Sequence, residues 1–149
     1  MSDFSANTVI QLQELWKQDS VFDKLDPAGV LAGIGALHSK YLRVLSEHRL
    51  QLKMIDRKLA RLKKIKWEYY NGKLDQATLA KLGWQPFPFT LKSDIHTYLD
   101  ADTDIQAIVA QRDICEEVVE VCLAILKALN NRTWEAKEYC GWEKFMRGA

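Results

Sequence analysis

The residues of this sequence that could do chemistry are cations concentrated in one stretch of the chain. Between His38 and Gly72 there are ten Lys or Arg residues and only three carboxylates, a net charge of +7. The whole chain carries +1, so the remainder carries −6. Such a concentration favours a polyanionic partner, because each cation that neutralises a phosphate releases a bound counterion.

Five of these cations recur at helical spacing and would project from one side of a helix: Arg49, Lys53, Arg57, Arg61 and Lys64. Aromatic rings follow within residues 63–70, where Trp67 and Tyr70 lie off the apolar side and Tyr69 lies on it. Cations that follow a backbone and rings that stack on bases together hold single strands. The predicted DNA-contacting residues are Arg49, Lys53, Arg57, Lys58, Arg61, Lys63, Lys64, Lys66, Trp67 and Tyr70.

Other interpretations of the basic stretch remain open. It could dock an acidic surface of a partner protein, as part of a helical structural or adaptor protein, or it could be a solvated face. Long solvated helices usually mix charges of both signs, which this stretch does not. Duplex DNA fits less well, because no helix begins with residues suited to reading a groove.

The sequence offers no basis for an enzyme. Isolated His38, His48 and His96 form no nucleophile–base pairing, and no phosphate-binding loop is present. Three cysteines without CxxC or histidine-paired spacing predict neither a zinc site nor a disulfide framework. The acidic run 100–104 lacks the glycine and glutamate of a calcium loop and is predicted to cap a helix N-terminus. We therefore predict no catalytic residue, no metal and no cofactor.

The elements that carry these residues are predicted to be helical nearly throughout. Only seven glycines and three prolines interrupt the chain, and no alternation of apolar and polar residues with period two is sustained. A first helix is predicted over 8–19. Asp26-Pro27 is typical of a helix start and Asn71-Gly72 of a helix end, which predicts a helix of about 44 residues between them. The glycines near its start also allow a beginning nearer Ala36.

After this long helix the sequence predicts a connector over 73–92. It contains a short helix at 76–82 and a hinge or packed loop at 84–89, where two prolines stop any helix. One or two helical turns are predicted at 93–99. A long helix follows from about Ile105, with Asn130-Asn131 as a candidate bend.

Both long helices have apolar seams with coiled-coil spacing. The first seam runs Tyr41, Leu45, His48, Leu52, Ile55, Leu59, Leu62, Lys66 and Tyr69. The second helix carries an additional apolar stripe beside its seam, formed by Ile114, Val118, Val121 and Ile125. An apolar surface this broad predicts packing partners on two sides of the helix, one of them another subunit. The predicted oligomerisation residues are Ile114, Cys115, Val118, Val119, Cys122, Leu126, Trp134, Trp142 and Phe145.

The predicted fold is therefore all-α: one helical domain over 1–149 in which a long basic helix packs with N- and C-terminal helices and assembles into an oligomeric helical ring. Residues 8–72 hold the N-terminal and basic helices, 73–92 the connector, and 93–149 the C-terminal oligomerisation region. No run approaches the ~18 apolar residues of a membrane span, and the N-terminus does not have the pattern of a secretory signal. We expect a soluble intracellular protein without membrane contact.

Several segments resemble the UvsY family of recombination mediators from T-even-type phages. The resemblance is carried by 37–42, by Lys64-Ile65-Lys66-Trp67-Glu68-Tyr69-Tyr70-Asn71-Gly72, and by 12–15, 92–94 and 99–104, in the same order over nearly the whole chain. It implies that the family's DNA-contacting basic pair falls on Lys64 and Lys66. Lys66 replaces an arginine of the family pattern and Trp67 an aliphatic residue.

The resemblance also implies what the protein does. Mediators of this family bind single-stranded DNA, destabilise the phage single-strand-binding protein on it, and help a RecA-like recombinase to nucleate its filament. They act as ring-like homo-oligomers. The expected function is thus DNA recombination, repair and replication in the cytoplasm of an infected bacterial host.

Overall fold

The computed structural model describes residues 5–88 and 91–148, and its helices are five. They are α1 (Ala6–Asp19), α2 (Pro27–Tyr70), α3 (Gln76–Leu82), α4 (Ile95–Asp100) and α5 (Thr103–Met146), with a short 3-10 turn at Lys92–Asp94 before α4. The described residues contain no strand. The all-α prediction is confirmed.

The ends of α2 form where the sequence predicts them. The side chain of Asp26 accepts a hydrogen bond from the backbone N–H of Gly29 at 3.0 Å, and Pro27 begins the helix. At the other end Gly72 has a φ of 68°, a left-handed conformation that glycine adopts without strain. The helix between them has 44 residues, so the prediction of a long uninterrupted helix is confirmed, and the later start near Ala36 is not used.

The chain divides into two compact units, and both long helices contribute to each. The first unit comprises residues 1–51 and 114–149. Its core is one cluster to which α1, α2 and α5 all contribute: Leu12, Tyr41, Leu45, Val118, Val119, Cys122, Ile125, Leu126 and Leu129. The hydroxyl of Tyr41 donates to Asp19 at 2.7 Å, and Lys40 lies 2.6 Å from the same carboxylate. These contacts fix the end of α1 against α2.

The second unit comprises residues 52–113. Buried side chains come from each of its helices: Ile55 and Leu59 of α2, Leu79 of α3, Ile95 of α4 and Ile105 of α5. Ion pairs join α2 to α5 at Asp56–Arg112 and at Lys66–Asp104. Because these pairs follow opposite orders along the two helices, α2 and α5 run antiparallel within this unit.

The structure corrects two predictions for α5. The helix continues through Asn130-Asn131, the candidate bend, so no separate last helix begins there. The second correction concerns five predicted oligomerisation residues that are buried in their own chain: Cys115, Val118, Val119, Cys122 and Leu126. The sequence analysis assigned one side of the broad apolar surface of α5 to another subunit, but Leu12 of α1 packs in the same cluster and supplies the missing partner.

The remaining predicted oligomerisation residues lie differently. Ile114 is half-buried, whereas Trp134, Trp142 and Phe145 are exposed, with 67%, 58% and 76% of their surfaces accessible. Leu123 and Met146 are also exposed on α5. Leu123, Trp134 and Phe145 are spaced by eleven residues, about three helical turns, and therefore lie on one face. These three residues form an apolar face that α5 leaves open, and Trp142 lies beside it near the end of the helix.

Candidate nucleic-acid interface

Six exposed cations of the second unit lie along α2: Lys53, Arg57, Lys58, Arg61, Lys63 and Lys64. We name them the basic strip. The helical repeat places Lys53, Arg57, Arg61 and Lys64 on one side, opposite the buried Ile55 and Leu59, with Lys58 and Lys63 on either flank. Within the part of the chain that the structure describes, none of the six forms an ion pair. Their charge is thus available to an external anion.

One carboxylate close to the strip is paired with a residue of another helix. Asp56 lies among the strip residues in sequence, but its Oδ1 is 2.6 Å from Nε of Arg112 on α5. This pair cancels a negative charge that would otherwise weaken attraction of a polyanion. Arg49, which belongs to the first unit, is also exposed and has no ion-pair partner among the described residues. By contrast, Lys40 pairs with Asp19 and Arg43 with Glu47.

Lys66 is the exception among the predicted DNA contacts of the second unit, because it is only 6% exposed. Its ammonium lies 3.0 Å from Asp102 and 2.7 Å from Asp104, and 4.2 Å from the centre of the Trp84 ring. Burial alone would lower the pKa of Lys66, but the two carboxylates outweigh it and raise the pKa above its usual value. The residue is charged, and its charge is neutralised inside the protein.

Asp102 organises this buried pair. One of its oxygens accepts hydrogen bonds from the backbone N–H groups of Asp104 and Ile105, both at 3.0 Å, and so caps the N-terminus of α5. The other accepts the Tyr70 hydroxyl at 2.6 Å and faces Lys66. Burial would raise the pKa of Asp102, but these hydrogen bonds and Lys66 hold the pKa below its usual value. The prediction that the acidic run caps a helix is confirmed.

Tyr70 is likewise held within the second unit. Its ring contacts those of Tyr69, Phe87 and Tyr98 at centroid distances of 5.2, 4.8 and 5.7 Å. The neighbouring Tyr69 donates from its hydroxyl to the carbonyl of Gln85 at 2.6 Å and packs on Trp84. The described part of the 84–89 connector is therefore a packed loop; Phe89 lies outside the described residues.

Two predicted DNA contacts are corrected by this geometry. Lys66 is buried and paired with two carboxylates. Tyr70 donates a hydrogen bond from its hydroxyl to Asp102, and its ring packs in an aromatic cluster. Neither presents a free charge or an open ring to a strand. The apolar seam had already included Lys66, whereas the charge count and the family resemblance had placed it on DNA. The residues that sequence reasoning missed at this site, Asp102 and Trp84, lie far along the chain from Lys66 and left no local signal of the contact.

Trp67 has the placement predicted for it. It follows Lys64 by three residues and Lys63 by four, so it lies on the same side of α2 as the strip. Its side chain is 41% exposed, and the ammonium of Lys73 lies 4.4 Å from its ring centre. From Lys53 to Trp67 the surface extends for about 21 Å along the helix. A row of free cations ending in an exposed ring is suited to a flexible, base-bearing polyanion.

An all-helical chain with such a row has the surface of a polyanion-binding protein, and comparison with known proteins specifies the class further. Residues 15–149 match the family model described as recombination, repair and ssDNA binding protein UvsY. The chain therefore belongs to the UvsY family. No curated protein sequence matches it.

Solved structures agree with this assignment at the level of the fold. The chain resembles crystal structures of the bacteriophage T4 recombination mediator protein UvsY. Lattice type II has a TM-score of 0.80 at 23% identity, covering 92% of this chain and 96% of that chain. Lattice type I also gives 0.80 at 23% identity, covering 91% and 98%, and lattice type IV gives 0.76 at 21%, covering 93% and 98%.

The described residues, 5–88 and 91–148, were compared with the requirements of a membrane span and of a metal site by length, hydropathy and side-chain type. No helix there is long and apolar enough to cross a membrane. No group of three or more His, Cys, Asp or Glu side chains within the described ranges could hold a metal ion.

The buried pair predicts opposite behaviour for two neighbouring lysines. Lys66→Met should destabilise the protein by about 3–5 kcal/mol, because it leaves the buried Asp102 without its ammonium. The matched change Lys64→Met removes an exposed charge and should alter stability by no more than ~0.5 kcal/mol. Urea unfolding followed by circular dichroism measures both. Equal stabilities for the two variants would show that Lys66 is not a structural residue.

The lowered pKa of Asp102 predicts a pH-dependent contribution to stability. A carboxyl whose pKa is lower in the folded than in the unfolded state, where it is about 3.9, stabilises the fold above that pH. This stabilisation is lost as the pH falls through the folded value. The difference in Tm between wild type and Asp102→Asn should therefore be largest near pH 7 and shrink as the pH falls from about 5 to 3. Asp113→Asn, an exposed aspartate of α5, is the control. A constant difference across this range would contradict the assignment.

Proposed function

We propose that this protein binds single-stranded DNA through the basic strip and promotes loading of a RecA-like phage recombinase onto strands covered by the phage single-strand-binding protein. The observation that carries the proposal is the row of six exposed cations without ion-pair partners in the described chain. Membership of the family described as recombination, repair and ssDNA binding supports it. The setting is the cytoplasm of the infected bacterial host.

The strip supports binding that depends on charge rather than on base sequence. Lysine and arginine side chains on one side of a straight helix contact phosphates, which carry no sequence information by themselves. Binding of this kind is weakened by salt, because counterions compete for the same phosphates. A mediator must act on any strand, and a sequence-independent contact meets that requirement.

The proposed site residues are those of the predicted set that are exposed on α2. Arg49, Lys53, Arg57, Lys58, Arg61, Lys63 and Lys64 contact phosphates, and Trp67 stacks on a base. Lys66 and Tyr70 hold the end of α2 in place and act on DNA only indirectly. The protein supplies no catalysis in this role, and hydrolysis of ATP belongs to the recombinase.

We also propose that the protein acts as a homo-oligomer, in a ring of subunits. The support is the exposed face of α5, where Trp134, Trp142 and Phe145 present apolar surface to solvent. Apolar surface of this extent is a liability unless a partner covers it. The printed name of the T4 relative, a recombination mediator, concerns function and leaves the number of subunits open.

Salt dependence tests the strip. Affinity for fluorescent oligo-dT should fall linearly with salt on a log–log plot, and Arg57→Gln/Arg61→Gln/Lys64→Gln should reduce the slope by about 2, since each lost contact on single strands removes ~0.7. The triple variant should also fail to stimulate recombinase on strands covered by single-strand-binding protein.

The control variant carries the same number of neutralised cations outside the strip and outside α5, Lys17→Gln/Lys24→Gln/Lys81→Gln, all exposed. It should bind as the wild type does. Absence of oligo-dT binding by the wild type at low salt would contradict the proposal. Retention of a protein partner after nuclease treatment would then favour an acidic protein as the target of the strip.

Assembly is tested separately. Sedimentation of the wild type should give a mass of several subunits, and Trp142→Ser/Phe145→Ser should lower it, because two large apolar contacts are lost. Leu25→Ser is the matched control, since Leu25 is 96% exposed but lies outside α5. A monomeric wild type, or a double variant with unchanged mass, would contradict the assignment of this face.

A further inference from the structure

A small cavity lies beside the end of the basic strip. Its volume is about 220 Å³, and it is lined by Trp67, Asn71, Lys73, Lys92, Ile95 and His96. We name it the Trp67 pocket. The lining residues come from the end of α2, the turn after it, the 3-10 turn and α4, all within the second unit. Among the described residues, the lining includes two lysines and a histidine but no carboxylate.

The end of α2 holds the pocket in shape. Asn71 donates from its side-chain amide to the carbonyl of Trp67 at 2.7 Å. The chain then reverses at Gly72, and the backbone N–H of Lys73 donates to the carbonyl of Glu68 at 2.9 Å. This reversal returns Lys73 to the last turn of the helix, where its ammonium lies over the Trp67 ring. The buried Ile95 forms an apolar wall.

We infer that the Trp67 pocket is a subsite for one unpaired nucleobase and its flanking phosphates; this inference rests on the proposed function. The volume is below the ~300 Å³ at which pockets begin to hold whole small molecules, so it suits a single base ring. An exposed indole offers a face on which any base can stack. Lys73 and Lys92 line the pocket and would form ion pairs with the phosphates on either side of the base, because each is a point charge on a flexible side chain.

The location of the pocket connects it to the strip. Trp67 follows Lys63 and Lys64 on the same side of α2, so a strand lying along the strip reaches the ring at its end. Lys73 now covers part of the ring by a cation–π contact at 4.4 Å. When a base stacks on the Trp67 ring, it displaces the ammonium of Lys73. The ammonium then forms an ion pair with a neighbouring phosphate, so it is not left without a partner.

The subsite gives the protein a means to distinguish single strands from duplexes. The strip alone attracts any polyanion, since it contacts phosphates only. The ring accepts a base only if that base is unstacked, and bases within a duplex are not. The pocket would therefore select for single strands without selecting for sequence.

A pair of probes with equal phosphate number tests this inference: oligo-dT and an abasic oligonucleotide of the same length. Trp67→Leu should weaken binding of oligo-dT by about 5- to 150-fold and leave binding of the abasic strand unchanged. Trp67→Phe, which keeps a ring, should restore most of the affinity for oligo-dT. Lys64→Gln should weaken both probes by the same factor.

The charges at the rim are tested by the salt slope. Lys92→Gln should reduce the slope for oligo-dT by about 0.7, whereas Lys81→Gln, an exposed lysine of α3 outside the pocket, should not change it. Neither change removes buried surface, so these variants remain informative if Trp67→Leu fails to fold.

The outcomes separate the two proposals. If the wild type binds oligo-dT and Trp67→Leu binds it equally well, the subsite is wrong and the strip stands. If Trp67→Leu weakens oligo-dT and the abasic strand alike, the ring only supports the helix end and the subsite is again wrong. If the wild type binds neither probe at low salt, the proposed function itself fails.

Discussion

A buried ammonium between two carboxylates is the interaction on which the second unit depends. Lys66 lies on the buried side of α2 near the end of the helix, where an unpaired charge would cost several kcal/mol. Asp102 meets it and at the same time caps α5, so the start of α5 is fixed relative to the end of α2. Tyr70 and Trp84 complete the enclosure. The position of the connector follows from the same requirement, because Trp84 must cover the ammonium.

The same arrangement explains why the open side of α2 stays positive. The chain as a whole is nearly neutral, so its carboxylates could have cancelled the cations of this helix. Instead Asp102 and Asp104 pair with the buried Lys66, and Asp56 pairs with Arg112. The Asp56–Arg112 pair cancels one negative charge beside the strip, and Lys66 offsets one of the two negative charges of Asp102 and Asp104. Structural pairing on one side of the helix thus leaves the cations on the other side free.

Local signals in the sequence predict the helices well, because caps depend on adjacent residues: Asp26-Pro27 and Asn71-Gly72 bound α2 where predicted. Contacts between distant segments are harder to predict, because neither segment alone carries a signal of the other. Helical periodicity placed Lys66 in the seam while composition placed it on DNA, and only the presence of Asp102 across the unit decides between them. In the same way, the second stripe of α5 needed a partner, but nothing in its own residues says that α1 supplies it. The Trp67 pocket could not be predicted from the sequence, because three separate segments bring Lys73, Lys92 and His96 to Trp67.

The proposed DNA contacts and the proposed assembly depend on each other energetically. A strip of exposed lysines and arginines binds weakly in one subunit, because each contact is solvated and each long side chain loses entropy on binding. Several strips joined in one oligomer would raise the affinity steeply, since later contacts form at high effective concentration. Linkage requires the converse as well: a strand that bridges subunits stabilises the oligomer to the same degree. A mediator built in this way would assemble most readily on the strand that it has to prepare, and would release it as salt or a competing protein removes individual contacts.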